Sequence, residues 1–240
     1  MSETQLTLPE LPNIVTFLGE KFRPWENVIF SLLIIAIISL LAYFAARKTK
    51  LVPSGLQNCA EVFAGGVDNF ICGILGPKGR KYVPFIGTLF IYILVMNLAG
   101  LVPLFKSPTA SWSTTMALAL CVFIYVQYTA LKEFGFFGYL DHLMGRPRGV
   151  LALSVFIPIL MFFLHIISEL VRPISLSLRL RGNILGDDLL MAVLSGLGLK
   201  GIPFLFFSSF IVIIASVVQA LVFSLLTTIY FALVLTEEQK

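Results

Sequence analysis

The stretch GIPFLFFSSFIVIIASVVQALVFSLLTTIYFALVLT, Gly201 to Thr236, runs 36 residues without one charged side chain. A helix needs about 20 apolar residues to cross the hydrocarbon core of a bilayer. This run exceeds that length and has no charged face to turn toward water. Outward along the chain the same feature recurs. Asn27 to Ala46, Tyr82 to Phe105 and Ser107 to Leu131 are free of charge, and a further apolar stretch opens at Gly149 and meets its first charge at Glu169. Over all 240 residues, 58% of side chains are hydrophobic and 12% are charged, against roughly 25% charged in a soluble domain. These proportions exclude a soluble domain, a collagen, a disulfide scaffold and a disordered chain. They describe an integral membrane protein.

The remaining composition is consistent with that class. Cys59, Cys72 and Cys121 are far apart and form no CxxC pair, so neither a zinc site nor a redox pair is expected. The net charge of +4 gives no ground for nucleic-acid binding, because basic residues in a membrane protein chiefly report loop sidedness. The opening MSETQLTLPE is polar and acidic, unlike the basic start of a cleavable signal.

The expected fold class is an all-α membrane protein. It has about five membrane-crossing helices plus one interfacial amphipathic helix. Residues 1–25 form a polar N-terminal segment, and 26–240 form one transmembrane domain. The helices are expected at 26–47, 82–105, 110–132, 150–194 and 203–236, with the interfacial element at 56–76. In that last element Phe63, Val67, Phe70, Ile71 and Ile74 follow helical spacing, and Glu61 and Asp68 lie on another face. This suits a helix lying in the interface; a short re-entrant or loop segment is the other reading. The loops holding Arg47, Lys48, Lys50, Lys78, Arg80, Lys81, Lys132, Arg146 and Arg148, with Lys240, total ten basic residues, against four at Lys21, Arg23, Lys106 and Lys200. The bias predicts an outer N-terminus and a cytoplasmic C-terminus.

The last two helices are too long to stand upright. At 1.5 Å per residue they reach about 65 Å and 50 Å, against a hydrocarbon core of about 30 Å. Tilt or curvature must absorb the excess, and Pro158 and Pro173 offer kink points. The short link around Lys200 makes the two a hairpin.

The first helix of that hairpin carries His165, Glu169, Arg172, Arg179, Arg181, Asp187 and Asp188. Ionisable residues inside a membrane helix cost a few kcal/mol each and are functional candidates by default. His165, Glu169, Arg172, Leu176, Arg179, Asn183 and Asp187 follow steps of four and three, which keeps them on one side of a helix. Such a stripe must face protein or water. Arg181 and Asp188 lie on the opposite side, which gives the helix a second polar face. Gly182 and Gly186 form a GxxxG pair, open to close approach by another helix. Arg179 has Leu178 and Leu180 as neighbours, and a guanidinium stays charged at every relevant pH. It is a fixed cation and not a proton carrier. Arg172 reads as a structural residue near a kink or interface, and Arg181 as either a partner of a local carboxylate or part of a channel. Gln219 stands in the 36-residue uncharged run, where it can hydrogen-bond across the hairpin.

The block PISLSLRLRGN, Pro173 to Asn183, resembles the arginine segment of the F-type ATP synthase a subunits, the stationary membrane subunits beside the rotating c-ring. Asn97 to Pro103, NLAGLVP, and Pro108 to Ala110, PTA, followed by TTMALAL from Thr114, resemble two further segments of that family. Gln219 in VVQALVFSLL falls on the family's glutamine. The resemblance covers about residues 26–238. It implies that Arg179 is the family's essential arginine, that Asn183 is its asparagine one turn on, and that Asp188 takes a carboxylate position usually held by glutamate. It implies a proton-conducting stator with two half-channels to c-ring carboxylates, so that proton flow drives rotation and ATP synthesis. Asp188, with Asp187 and Gln219, is assigned to the outer path, and His165 and Glu169 to the inner. The implied partners are the c-ring, the peripheral-stalk b subunits, the other ATP synthase subunits and membrane lipid. The expected membrane is the bacterial inner membrane. No cofactor, metal or nucleotide site is expected, and ATP chemistry falls to other subunits. The sequence departs from the family at Arg181, where an aromatic is common, at His165, where a carboxylate is common, and at Ser111 and Ser113.

Two other classes compete. A self-contained proton-coupled secondary transporter would show internal repeats and broken helices, and no repeat is present. An intramembrane enzyme would need a motif such as HExxH or GxSxG, and the chain has neither, with His142 and His165 its two histidines.

Overall fold

The computed structural model describes residues 26–47, 55–101, 108–143 and 153–237. The expected N-terminal segment 1–25 lies outside them, as do Lys48, Lys50, Lys106, Arg146, Arg148 and Lys240. Among the described residues the secondary structure is helical throughout, without a strand. Six helices follow in order: α1 Glu26–Ala46, α2 Leu56–Leu75, α3 Val83–Ala99, α4 Trp112–Leu143, α5 Leu153–Ser195 and α6 Ile202–Glu237. All but α2 are long and apolar enough to cross a membrane. The chain is an integral membrane protein.

α2 is the amphipathic element. Ile71 is fully buried, Phe63 and Val67 are half-buried, and Glu61 is exposed. Phe63 meets Phe90 of α3 with ring centroids 5.7 Å apart. The helix closes at Gly76, whose N–H donates to the Cys72 carbonyl at 2.9 Å. A short 3₁₀ turn, Pro77–Tyr82, then leads into α3. Arg80 in that turn reaches back to Asp68 at 3.4 Å, and Lys81 reaches forward to Glu133 of α4 at 2.6 Å. These exposed pairs tie the loop to two helices; pairs of this kind contribute about 0–1 kcal/mol each.

The core lies where α3, α4, α5 and α6 meet. Ile86, Leu89 and Ile93 of α3, Ala119, Val122 and Val126 of α4, Leu176 and Leu180 of α5 and Ala220, Phe223 and Phe231 of α6 are all buried. At one end Tyr82 stacks on Phe231 at 4.4 Å, and Tyr125 and Phe85 close the aromatic cluster. Lipid is as apolar as leucine, so packing and small residues hold membrane helices together. Three buried hydroxyls of α6 bond within their own helix, from Ser224 to the Ala220 carbonyl, Thr227 to Phe223 and Thr228 to Ser224 at 2.7–3.0 Å, whereas Ser208 and Ser216 of the same helix are buried without a partner. The three paired hydroxyls bring helices close with their own bonding met. α1 is the outlier, with Phe30 and Ile34 buried and Leu32, Leu40, Leu41 and Phe44 more than half exposed.

α4 runs past the expected end at 132. Lys132 and Glu133 mark an exit from apolar surroundings, but charge alone does not end a helix. The break comes at Gly135, where φ is 67°. α3 ends earlier than 105, at Ala99, with Gly100 and Leu101 in turn hydrogen bonds to Asn97 and Leu98.

α5 has 43 residues and α6 has 36, so both exceed a 30 Å hydrocarbon core and must lie inclined or project beyond it. α5 continues through Pro158 and Pro173 as one helix. The hairpin between α5 and α6 turns through Gly198–Gly201. A Cβ at Gly201 would lie 2.3 Å from the Leu194 carbonyl oxygen, so the chain reverses this tightly because that position has no side chain.

Candidate functional site

α5 carries most of the charged residues of the helices long enough to span, and its neighbours decide what each faces. Leu176, Ser177, Leu180 and Ile184 are buried against the bundle. Ser177 donates to Thr115 of α4 at 3.2 Å. The other side of the helix, through Ile174, Leu178, Arg179, Gly182 and Asn183, is exposed. Gly182 and Gly186 have open space where a Cβ would stand. The close approach their spacing permits is therefore not used by this chain's own described helices.

The stripe from His165 to Asp187 does not keep one environment. A repeat of three and four drifts about 20° per seven residues against a straight helix, and α4 and α6 cover only part of its length. Glu169 faces α4 and accepts from Gln127 Nε2 at 2.5 Å. The Arg172 guanidinium lies 5.1 Å from the centre of the Tyr230 ring of α6. Leu176 is buried, and Arg179 is exposed. Among the described residues Arg179 makes no hydrogen bond, ion pair or ring contact.

One turn past Arg179, Asn183 Nδ2 donates to Gln219 Oε1 on α6 at 2.6 Å. Gln219 is buried, and its Nε2 has no hydrogen-bond partner. A buried donor left unmade costs about 1–3 kcal/mol, and such groups concentrate where a site works or a water sits. The two residues lock α5 to α6 beside the open arginine. Asp187 is half-buried and Asp188 exposed, toward the hairpin end. His165 donates from Nδ1 to the Met161 carbonyl at 3.0 Å, which places the proton of a neutral imidazole on Nδ1. At 1.5 Å per residue, Glu169 lies about 15 Å and Asp188 about 13 Å from Arg179 along the axis, in opposite directions. Two sets of polar groups thus flank one exposed cation.

Arg181, on the second polar face, stacks over Trp112 at 5.4 Å, and its Nε is buried without a partner. Arg172 and Arg181 each rest on an aromatic ring from a neighbouring helix, which sequence spacing on α5 does not reveal. Gln127 was also outside the sequence-based candidates. Its signal was an amide in the apolar run MALALCVFIYVQYTAL, but only the α4–α5 crossing gives that amide a partner.

Residues 28–232 match the family model described as ATP synthase A chain. The chain belongs to the ATP synthase A chain family. It is 42% identical to "ATP synthase subunit a" of Protochlamydia amoebophila, over 96% of this chain and 91% of that protein. It is 41% identical to the protein of that name in Aliarcobacter butzleri, covering 91% and 94%, and 40% identical to that of Geobacter sulfurreducens, covering 85% of each. Membership of this family and five apolar helices of spanning length agree on a membrane component.

Proposed function

We propose that this chain is the proton-conducting stator subunit of an F-type ATP synthase in a bacterial plasma membrane, with its N-terminus outside and its C-terminus in the cytoplasm. Its partners are a c-ring, peripheral-stalk b subunits, the remaining synthase subunits and lipid. The observation that carries this reading is Arg179, a permanent cation exposed in the middle of a membrane helix, without a described partner and beside two uncovered glycines. Such a face calls for an external partner that brings negative charge.

A c-ring carboxylate fits that requirement. It must be neutral to face lipid, and a nearby cation favours its ionised form. Arg179 therefore promotes proton release as each carboxylate passes. It also repels a proton moving directly between the two access paths, as a pore arginine excludes protons and cations. Asp188, aided by Asp187 and Gln219, serves the outer path. His165 and Glu169 serve the inner path, where an imidazole and an acid relay protons. Asn183 holds Gln219 in place. One charge crossing 100 mV gains about 2.3 kcal/mol, enough to bias rotation. The chain itself carries out no nucleotide chemistry.

The test is ATP-driven acidification of inverted vesicles holding the assembled complex, wild type against Arg179→Ala. Pumping is expected to vanish with the complex intact. Normal pumping by Arg179→Ala would remove the arginine from the mechanism and end this reading.

A further inference from the structure

Buried polar atoms without a partner are not spread evenly through the bundle. Among the described residues six side-chain nitrogen and oxygen atoms are buried with no hydrogen bond, and three of them belong to α6: Ser208 Oγ, Ser216 Oγ and Gln219 Nε2. Ser208, Val212, Ser216 and Gln219 are each 5% exposed or less, and steps of four, four and three keep them on one face. The same helix shows how its hydroxyls can be satisfied. Ser209, Ser224, Thr227 and Thr228 each donate to the carbonyl four residues earlier. Ser208 and Ser216 do not. Gln219 Oε1 is taken by Asn183, which leaves Nε2 as its unmade donor. An unmet polar group inside a membrane protein is costly, and alanine in place of either serine would let the helices approach as closely without that cost.

A fourth such atom comes from α3. Tyr82 of α3 stacks on Phe231 of α6 at 4.4 Å, and further along Ile86 and Phe90 share a groove with Ser224 and Leu221. The two helices therefore run antiparallel. Asn97 stands fifteen residues on from Tyr82, and Ser216 fifteen back from Phe231, which brings them to one level. Asn97 is 2% exposed; its Oδ1 accepts from Thr109 at 3.0 Å, and its Nδ2 has no partner. The hairpin gives the third register. From Arg172 against Tyr230 to Asn183 against Gln219 each helix advances by eleven residues. The same register sets Ser216 level with Gly186 and Asp187.

We propose that the outer proton path runs inside the bundle along this face of α6, and that Ser216 and Asn97 carry it from the level of Asp187 to Gln219. A serine hydroxyl both accepts and donates. As a proton passes, one O–H bond forms on Ser216 Oγ from a protonated water while its own O–H breaks toward the next water, so the hydroxyl ends unchanged. The amides transfer no proton. Asn97 Nδ2 and Gln219 Nε2 donate hydrogen bonds to water oxygens and hold them in line. Ser208, about 12 Å nearer the hairpin turn, is the outer end of the same stripe.

This inference rests on the placing of Gln219 in the outer path, so Arg179→Ala is measured beside it. Vesicle acidification is compared for assembled complexes carrying Ser216→Ala, Asn97→Leu and, as the back-bonded control, Ser224→Ala. Ser216→Ala and Asn97→Leu are each expected to slow pumping about fivefold, the effect of one hydrogen bond lost from the path. Ser224→Ala should pump near the wild-type rate. Access of water is read separately with Ser216→Cys and Ser224→Cys in a chain whose Cys59, Cys72 and Cys121 are replaced by alanine. Silver ions attack thiols that water reaches. They should block pumping by the Ser216→Cys complex and spare the Ser224→Cys complex, a difference that a packing role for Ser216 would not produce. Wild-type pumping by Ser216→Ala or Asn97→Leu, or a Ser216→Cys complex that silver leaves untouched, overturns the proposal. A normal rate for Arg179→Ala defeats the stator reading itself, whereas loss there together with any of those three results defeats only the interior path.

Discussion

Arg172 and Arg179 are the same residue type two turns apart on one helix, yet the fold treats them in opposite ways. Arg172 is half-buried where α5 crosses α6 and lies against the Tyr230 ring. Arg179 stands where neither α4 nor α6 covers the helix, and no described side chain pairs with it. Arg181 repeats the first arrangement on the far side, over Trp112. Two of these three arginines of α5 therefore rest on aromatic rings of this chain, and the third has no partner among the described residues. A guanidinium over an aromatic face recovers about 0.5–2 kcal/mol, which offsets part of the cost of holding it in the membrane. No such return from a described ring is available to Arg179, which is in keeping with the outside partner that the proposed function gives it.

The largest effect should come from exchanging charge at these two positions. Arg179→Gln is expected to abolish ATP-driven pumping, while Arg172→Gln leaves a measurable rate in the same vesicles. Equal loss at both positions would break the distinction. Next is the lock beside Arg179. Gln219→Leu breaks the Asn183–Gln219 hydrogen bond, and the purified complex should lose about 0.5–1.5 kcal/mol of stability in its membrane sector. Thermal dissociation in detergent reads this, and pumping should slow as well; an unchanged midpoint would mean that the Asn183–Gln219 bond does not join the hairpin. Trp112→Leu removes the platform under Arg181 and should cost about 0.5–2 kcal/mol by the same measure, with pumping altered far less than by Arg179→Gln. The smallest effect should be at Thr228→Val. That hydroxyl returns to the Ser224 carbonyl of its own helix, so its removal should leave both stability and pumping near wild type; a marked loss would reveal a partner for Thr228 outside α6.

Much of the architecture was legible in the sequence. The uncharged runs mark five spanning helices, and the apolar periodicity of residues 56–76 marks the amphipathic one, because transfer into a bilayer depends on local composition. Helix ends were less legible. α4 passes Lys132 and Glu133 before breaking at Gly135, since a helix leaving the membrane need not stop there. Within the candidate site, the polar residues of α5 were all visible as residues. Their separation into covered and open groups was not, because a stripe on one helix does not state where its neighbours lie.

By itself, the sequence determined the membrane class, the number of spans, the overlong closing hairpin and the arginine block that carries the family resemblance. Each of these is a property of composition or of neighbouring residues. Tertiary structure alone decided that Arg172 and Arg181 rest on rings while Arg179 stays open. It also decided that Asn183 meets Gln219 and that Gln127 meets Glu169, pairs 36 and 42 residues apart. Those outcomes depend on where helices cross and at what depth. In lipid, the close packing of small side chains sets both, and no period along one helix encodes the register of another.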